Sequence, residues 1–301
     1  MKKNTLLFVG AHPDDETFGV GGTLAKYVLA GAGVHYACAT RGEAGSVDAA
    51  LLEGYANIGD LRWAELECAS STLGLAGLYG LGYRDSGMTG SEDNNHPDAL
   101  AAAPVEEVAQ RIVKIIREIK PQVVVTFDPI GGYRHPDHIA IHKATVMAFH
   151  AAADPSLYPL AGAPHHAEKL YFQVMSRKLL RLVVKALPLF GQDPRRYGRN
   201  KDIDISALAS VDFPVHARVQ LSKEARELQE KARACHISQI GGMRPRFSLL
   251  GLVTRLAGQR DSFMRAYPPP VKGRMEHDLF EGVDQYVQDR KSTRLNSSHR
   301  L

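Results

Sequence analysis

The chain has 301 residues, 44% of them hydrophobic and 23% charged, with a formal net charge of +4. That length and mix fit one α/β domain with extensions and exclude a disordered or fibrous chain, and no apolar stretch approaches the roughly 20 residues a membrane span needs. The charge makes no case for nucleic acid. Asp289–His299 reads DRKSTRLNSSH, the translation of a common sequencing adapter, and removing the four basic residues and one acidic residue of 289–301 brings the net charge to +1. Residues 1–288 are therefore read as one domain and 289–301 as a non-native tail. Cys38, Cys68 and Cys235 are odd in number, far apart and form no CxxC. They predict buried thiols in a reducing compartment, and neither disulfides nor a cysteine zinc site. Lys2 and Lys3 ahead of Thr5–Gly10 imitate a signal peptide, but the apolar run is short and leads straight into His12 and three acids. The expectation is a first strand and a cytoplasmic protein.

In chain order, Leu6–Val9 ending at Gly10 reads as a buried parallel strand, and a helix follows from about Thr17 to Ala30, stopped by Gly31 and Gly33. Val34–Thr40 reads as the second strand and Arg41–Gly59 as a Gly-rich loop. Asp60–Leu73 has helical spacing with Gly74 as its stop, Leu78–Leu81 is a short strand, and Tyr83–Pro97 is a long polar loop. Pro104 opens a helix to Ile119 that places Val105, Val108, Ile112, Ile115 and Ile119 on one face. Val123–Phe127, after Pro121, is the strongest strand signal in the chain. Later, Leu170–Val174 suggests another strand and Leu221–Cys235 a charged helix. Strands alternating with helices predict a Rossmann-like, doubly wound, mostly parallel sheet with helices on both faces, followed by C-terminal elaborations.

Two runs carry the chemistry. Ala11–Glu16 (AHPDDE) follows the first strand, and His135–His138 (HPDH) follows the Val123–Phe127 strand. Right-handed crossovers line up the strand C-termini on one edge, so both runs are expected to face one crevice, and a divided metal site is the leading reading. The first offers His12, Asp14, Asp15 and Glu16; the second offers His135, Asp137, His138 and His142. Spacing alone does not choose among the histidines.

AHPDDE followed by HPDH resembles the LmbE/PIG-L zinc deacetylases, which remove acetyl from N-acetylglucosaminyl groups. The similarity extends through YRDSGMTG (83–90) and TFDPIGGYRHPDHIAIH (126–142), where it is greatest to the mycothiol/bacillithiol-pathway branch. The resemblance implies an LmbE-like fold, with His12, Asp15 and His138 as zinc ligands (Fe2+ being an alternative metal) and Asp14 as general base. It further implies His135 as acid or oxyanion-stabilising group, oriented by Asp137, and Tyr133 polarising the amide carbonyl. Arg62, Asp85 and Met88 match positions lining a sugar pocket. Either Asp14 or His135 would protonate the leaving amine. The implied partner is a small N-acetylglucosaminyl substrate such as an inositol or malate glycoside, with no nucleic acid and with homo-oligomerisation left open. Rival readings are a thiol-conjugate amidase, a membrane glycolipid deacetylase, and a non-catalytic sugar-binding protein on the same fold.

Other features have plainer explanations. His142 reads as an ordinary helix histidine, and Glu16 as a first-turn acid or a partner behind the ligands. Asp128 is divided between holding a ligand histidine and forming a turn, and His96-Pro97-Asp98 is loop chemistry. Gly19–Gly22 fits close helix packing better than a dinucleotide loop. His236–Gln239 (HISQ) resembles a recurrent feature of these deacetylases, although helix termination explains it nearly as well. The basic, amphipathic stretch Ser176–Lys201, which includes Arg177 and Lys178, is read as a solvated face in preference to a membrane contact, and Phe247–Gly258 repeats it more weakly.

Overall fold

A computed structural model describes residues 4–174, 177–196, 204–240 and 259–283. The predicted tail 289–301, the weaker amphipathic stretch 247–258, Arg199, Lys201 and the side chains of Arg177 and Lys178 lie outside the described residues.

Seven strands form one sheet: β1 Thr5–Gly10, β2 Gly33–Cys38, β3 Gly77–Gly80, β4 Val123–Phe127, β5 Lys169–Val174, β6 Ala217–Gln220 and β7 Arg260–Tyr267. Their order is β3-β2-β1-β4-β5-β7-β6. The first five run parallel, whereas β7 is antiparallel to β5 and β6 antiparallel to β7. The predicted α/β sheet is present, mostly parallel as expected. Strand order reverses between β1 and β4, and the crevice at that switch point is where such sheets bind ligands. Leu6–Val9 and Val123–Val125 are buried on both faces, which is why these segments are continuously apolar.

The helices are α1 Asp15–Phe18, α2 Gly21–Leu29, α3 Ile58–Leu73, α4 Val105–Ile119, α5 Gly131–Arg134, α6 Pro136–Ala151, α7 Arg177–Ala186, α8 Ile205–Ala209, α9 Lys223–Arg233 and α10 Ile237–Ile240. The first predicted helix is broken in two at Gly19–Val20. A Cβ at Gly19 would meet the Gln173 amide at 2.6 Å, and one at Gly22 would meet Leu221 Cδ1 at 2.2 Å, so these glycines serve close packing. Helix α3 starts two residues before its predicted start, because the Asn57 side chain accepts the Asp60 N–H. Pro104 caps α4 from just outside it. Strands β6 and β7 were not anticipated; in β7, Phe263 is buried while Arg260 and Ala266 are exposed, an alternation broken by charges. Among the described residues, no helix is long and apolar enough to cross a membrane.

The cysteine expectation is corrected. Cys68 of α3 and Cys235, just after α9, form a disulfide with Cα atoms 5.8 Å apart. The two are 167 residues apart in sequence, and only the packing of α3 against α9 brings them within bridging distance. Cys38 alone is a buried free thiol, as expected.

Candidate active site

The turn after β1 is held from several sides. Tyr36 of β2 donates its hydroxyl to the His12 carbonyl at 2.7 Å, and a Cβ at Gly10 would sit 2.7 Å from that hydroxyl and displace it. Asp14 takes φ 121°, a conformation disfavoured for a side-chain-bearing residue. The Asp15 carboxylate Oδ2 accepts the backbone N–H groups of Ala11 and His12 at 2.9 and 2.8 Å. Its second oxygen is thereby aimed away from the turn, 3.5 Å from His138 Nε2.

After β4, Asp128 accepts the N–H groups of Ile130 and Gly132, and Gly131 and Gly132 supply the left-handed backbone that reverses the chain. His135 is the N-cap of α6, its Nδ1 accepting the Asp137 N–H, with Pro136 at the first helical position. That bond places the neutral imidazole proton on Nε2. His138, one turn further on, stacks on Phe127 with ring centroids 3.8 Å apart, and Tyr133 meets it edge-on at 4.9 Å.

The two runs converge. His12 Nδ1 lies 3.2 Å from His138 Nε2 and 3.9 Å from Asp15 Oδ2. On the other side of the ring, His12 Nε2 faces Asp137 Oδ2 at 3.1 Å and Asp85 Oδ1 at 3.4 Å. Ring nitrogens of His12, His135 and His138 all lie within 4.8 Å of one another, and so do donor atoms of His12, Asp85, His135 and Asp137. All of these side chains, and that of Asp15, are buried. Burial opposes charge on His12, but Asp85, Asp137 and Asp15 outweigh it and hold the imidazole well above its usual pKa. Burial lifts Asp15 to about 7 against the pull of His12. Burial, with the charge of His12, pushes His135 down to about 3. Buried carboxylates and imidazoles that must share protons in this way are a donor set that a divalent cation would satisfy. His12 Nδ1, the Asp15 carboxylate and His138 Nε2 lie close enough together that they could offer a divalent cation a mixed N and O donor set. If His12 held a metal, its Nε2 contact with Asp137 would be the carboxylate behind that ligand.

The family model for PIG-L, GlcNAc-PI de-N-acetylase, matches residues 7–149. A relative from Geodermatophilus obscurus, 1D-myo-inositol 2-acetamido-2-deoxy-alpha-D-glucopyranoside deacetylase, is 40% identical over 81% of this chain and 85% of its own. The chain belongs to the PIG-L family. A Thermobifida fusca protein of the same description is 37% identical over 93% of this chain and all of its own. N,N'-diacetylchitobiose deacetylase from Pyrococcus horikoshii shares the fold of this PIG-L member, with a TM-score of 0.59 at 20% identity over 87% of this chain and 83% of that one.

Around this PIG-L cluster, the remaining singled-out residues fall in distinct places. Arg62 of α3 is 5% exposed, and its guanidinium donates to the carbonyls of Pro13 and Gly42 and to Asp14 Oδ2 at 3.1 Å. It therefore reaches the site through the Asp14 carboxylate. Asp85 is buried, accepts the Gly87 N–H at 2.8 Å and is held well below the usual carboxylate range; burial opposes this, but His12 and the hydrogen bonds prevail. Met88 is half-buried in the turn that follows. Asp137 contacts two histidines through different groups. Its backbone N–H orients His135, while its carboxylate holds His12 Nε2 and Ser86. Ser86 was not singled out, although it sits inside the YRDSGMTG segment. His142 lies outside the cluster, with Nδ1 at the Phe127 carbonyl and its ring against Phe172. His96 bonds the Asp98 N–H and lines a cleft of about 510 Å3 with Thr40, Arg41, Glu43 and Arg84. The cleft adjoins the cluster where the Asp85 N–H donates to Glu43. In α7, Val184 packs with Leu187, the α8 residues and Tyr133, while Arg181 pairs with the exposed Asp212.

Proposed function

We propose that this protein is a zinc-dependent N-deacetylase that hydrolyses the acetamide of an N-acetylglucosaminyl glycoside, with an inositol aglycone as the foremost candidate. The observation that carries the reading is the meeting of His12, Asp15 and His138 across the β1/β4 switch point, beside an Asp14 carboxylate clamped by Arg62. The kinship with deacetylases of acetamido-glucosyl inositol supports the substrate class. We take residues 1–288 as one such domain.

His12, Asp15 and His138 would hold the metal, with Fe2+ as an alternative to Zn2+. A bound zinc ion supplies Lewis acidity toward the amide carbonyl and toward water. Asp14 removes the proton from the attacking water, and the Arg62 ion pair fixes the direction in which its carboxylate points. His135 faces the site as a neutral imidazole with its proton on Nε2, which makes it a hydrogen-bond donor to the developing oxyanion, a contribution of about 3 kcal/mol. Tyr133, packed against both His135 and His138, is the second donor. The proton that Asp14 collects from water is available for delivery to the leaving amine. Asp137 keeps His12 and His135 in register, and Asp85 and Met88 border the sugar, with Arg62 acting there through Asp14.

Primary-amine release from a panel of N-acetylglucosaminyl glycosides tests this, using full-length zinc-loaded protein against a chelated control. Zinc-dependent release is expected, greatest for the inositol glycoside. No release by folded, metal-loaded protein overturns the reading.

A further inference from the structure

We infer that His236 is a positioning residue for Asp14, acting through Glu16; the inference rests on the proposed role of Asp14 as general base. His236 Nε2 lies 2.6 Å from Glu16 Oε1, and both side chains are completely buried. The other oxygen of the same carboxylate, Oε2, accepts the Asp14 backbone N–H at 3.0 Å. Asp14 needs such a hold. Its φ of 121° is costly for a non-glycine residue, and a strained residue keeps its conformation only where its surroundings over-determine it. Arg62 fixes the carboxylate end of Asp14 and Glu16 fixes the main-chain end, so the base is gripped at two points.

The segment that delivers His236 is itself firmly anchored. Gln229 of α9 donates to the Thr17 carbonyl at 2.8 Å, gripping the turn that follows Asp14. The N–H and hydroxyl of Ser238 donate to the two oxygens of Glu65 at 2.7 and 2.6 Å. Glu65 lies three residues after Arg62 on α3, and the Cys68–Cys235 disulfide joins the same helix to the residue before His236. One corner of the C-terminal region thus ties together α1 and the face of α3 that carries Arg62. A buried carboxylate with one oxygen on an imidazole and the other on a strained amide has its orientation set by both, so removing the imidazole frees Glu16 to turn away from Asp14. A misplacement of about 1 Å in a catalytic group costs about 100-fold in rate.

The experiment compares full-length zinc-loaded wild type with His236→Leu and His236→Gln. It reads kcat and KM separately, metal stoichiometry by elemental analysis, and peptide-level hydrogen exchange across residues 11–18. His236→Leu is expected to lose 10- to 100-fold in kcat with KM within threefold and metal content unchanged. His236→Gln, which can still donate to Glu16, should recover at least half of that loss on a logarithmic scale. Exchange across 11–18 should quicken in the Leu variant and return towards wild type in the Gln variant. A kcat within twofold of wild type, or equal losses in both variants accompanied by loss of metal, overturns the inference. If His236→Leu does not fold, the wild-type exchange decides: a segment 11–18 that exchanges as fast as an open loop refutes the hold. The exchange readout needs no turnover, so a wild type without deacetylase activity sinks the functional reading and leaves the positioning claim still testable.

Discussion

The ion pair between Arg62 and Asp14 can be measured directly. At 3.1 Å and an effective dielectric of 20, the two charges attract by about 5 kcal/mol. Arg62 is almost wholly desolvated, whereas the Asp14 side chain keeps 23% of its exposure, so water screens part of that attraction and the net coupling falls to about 2 kcal/mol. Replacing Arg62 by methionine also orphans the carbonyls of Pro13 and Gly42, at about 1 kcal/mol each. The glycines around the guanidinium make no compensating contact, since Gly42 and Gly45 owe their lack of a side chain to its presence. Urea denaturation of chelator-treated wild type, Arg62→Met, Asp14→Asn and the double variant closes a thermodynamic cycle. Arg62→Met should cost about 4 kcal/mol, and the double variant should be more stable than the sum of the single losses by about 2 kcal/mol. Single effects that add to within about 0.5 kcal/mol would refute the claim that Arg62 works on Asp14.

Asp14→Asn should keep its metal through dialysis while losing 100-fold or more in kcat, whereas Asp15→Asn and His138→Gln should lose metal; elemental analysis separates the two outcomes. Reducing Cys68–Cys235, which closes a 167-residue loop, removes about 5 kcal/mol of chain-entropy stabilisation, and melting with and without reductant should differ by about 10 °C. Asp261, half-buried against Thr23, is raised to about 6 by desolvation. Its folded pKa exceeds the unfolded one, so its contribution is fully present below about pH 4 and is lost as pH rises through 6; Asp261→Asn should flatten that decline by about 2–3 kcal/mol in pH-dependent melts. Gly10→Ala should drive a methyl into Tyr36, destabilise the protein by about 1–3 kcal/mol and, by displacing the bond to the His12 carbonyl, weaken metal retention in a chelator competition.

The parallel part of the sheet was legible because β1 and β4 are buried on both faces and so read as unbroken apolar runs. The placement of two polar motifs at the ends of those strands then followed from crossover handedness alone. Strands β6 and β7 escaped notice for the opposite reason. Arg218 in one and Arg260 and Arg265 in the other interrupt the alternation, and Arg265 is a buried cation paired with Glu276, a partner outside both strands. Pattern reading also cannot see pairings that exist only after packing. The Cys68–Cys235 bridge and the Glu16–His236 contact span 167 and 220 residues and depend on α9 lying across α2 and α3. Within the site, residue types and spacing indicated which side chains meet, but not which atom of each faces which. The Asp137 example is instructive: its main chain serves one histidine and its side chain another.

The disulfide also gives the polypeptide an unusual covalent layout. Residues 68–235 form a closed ring that contains Asp85, Tyr133, His135 and His138, while His12, Asp14, Asp15 and Arg62 sit on the open arm leading into it. The ring has an exposed span at 154–163, where Leu160 is 97% exposed. A single proteolytic cut there would sever the backbone between the fragment that holds both motifs and the fragment that holds His236. The two fragments would still travel as one molecule on a non-reducing gel and would part only when the bridge was reduced.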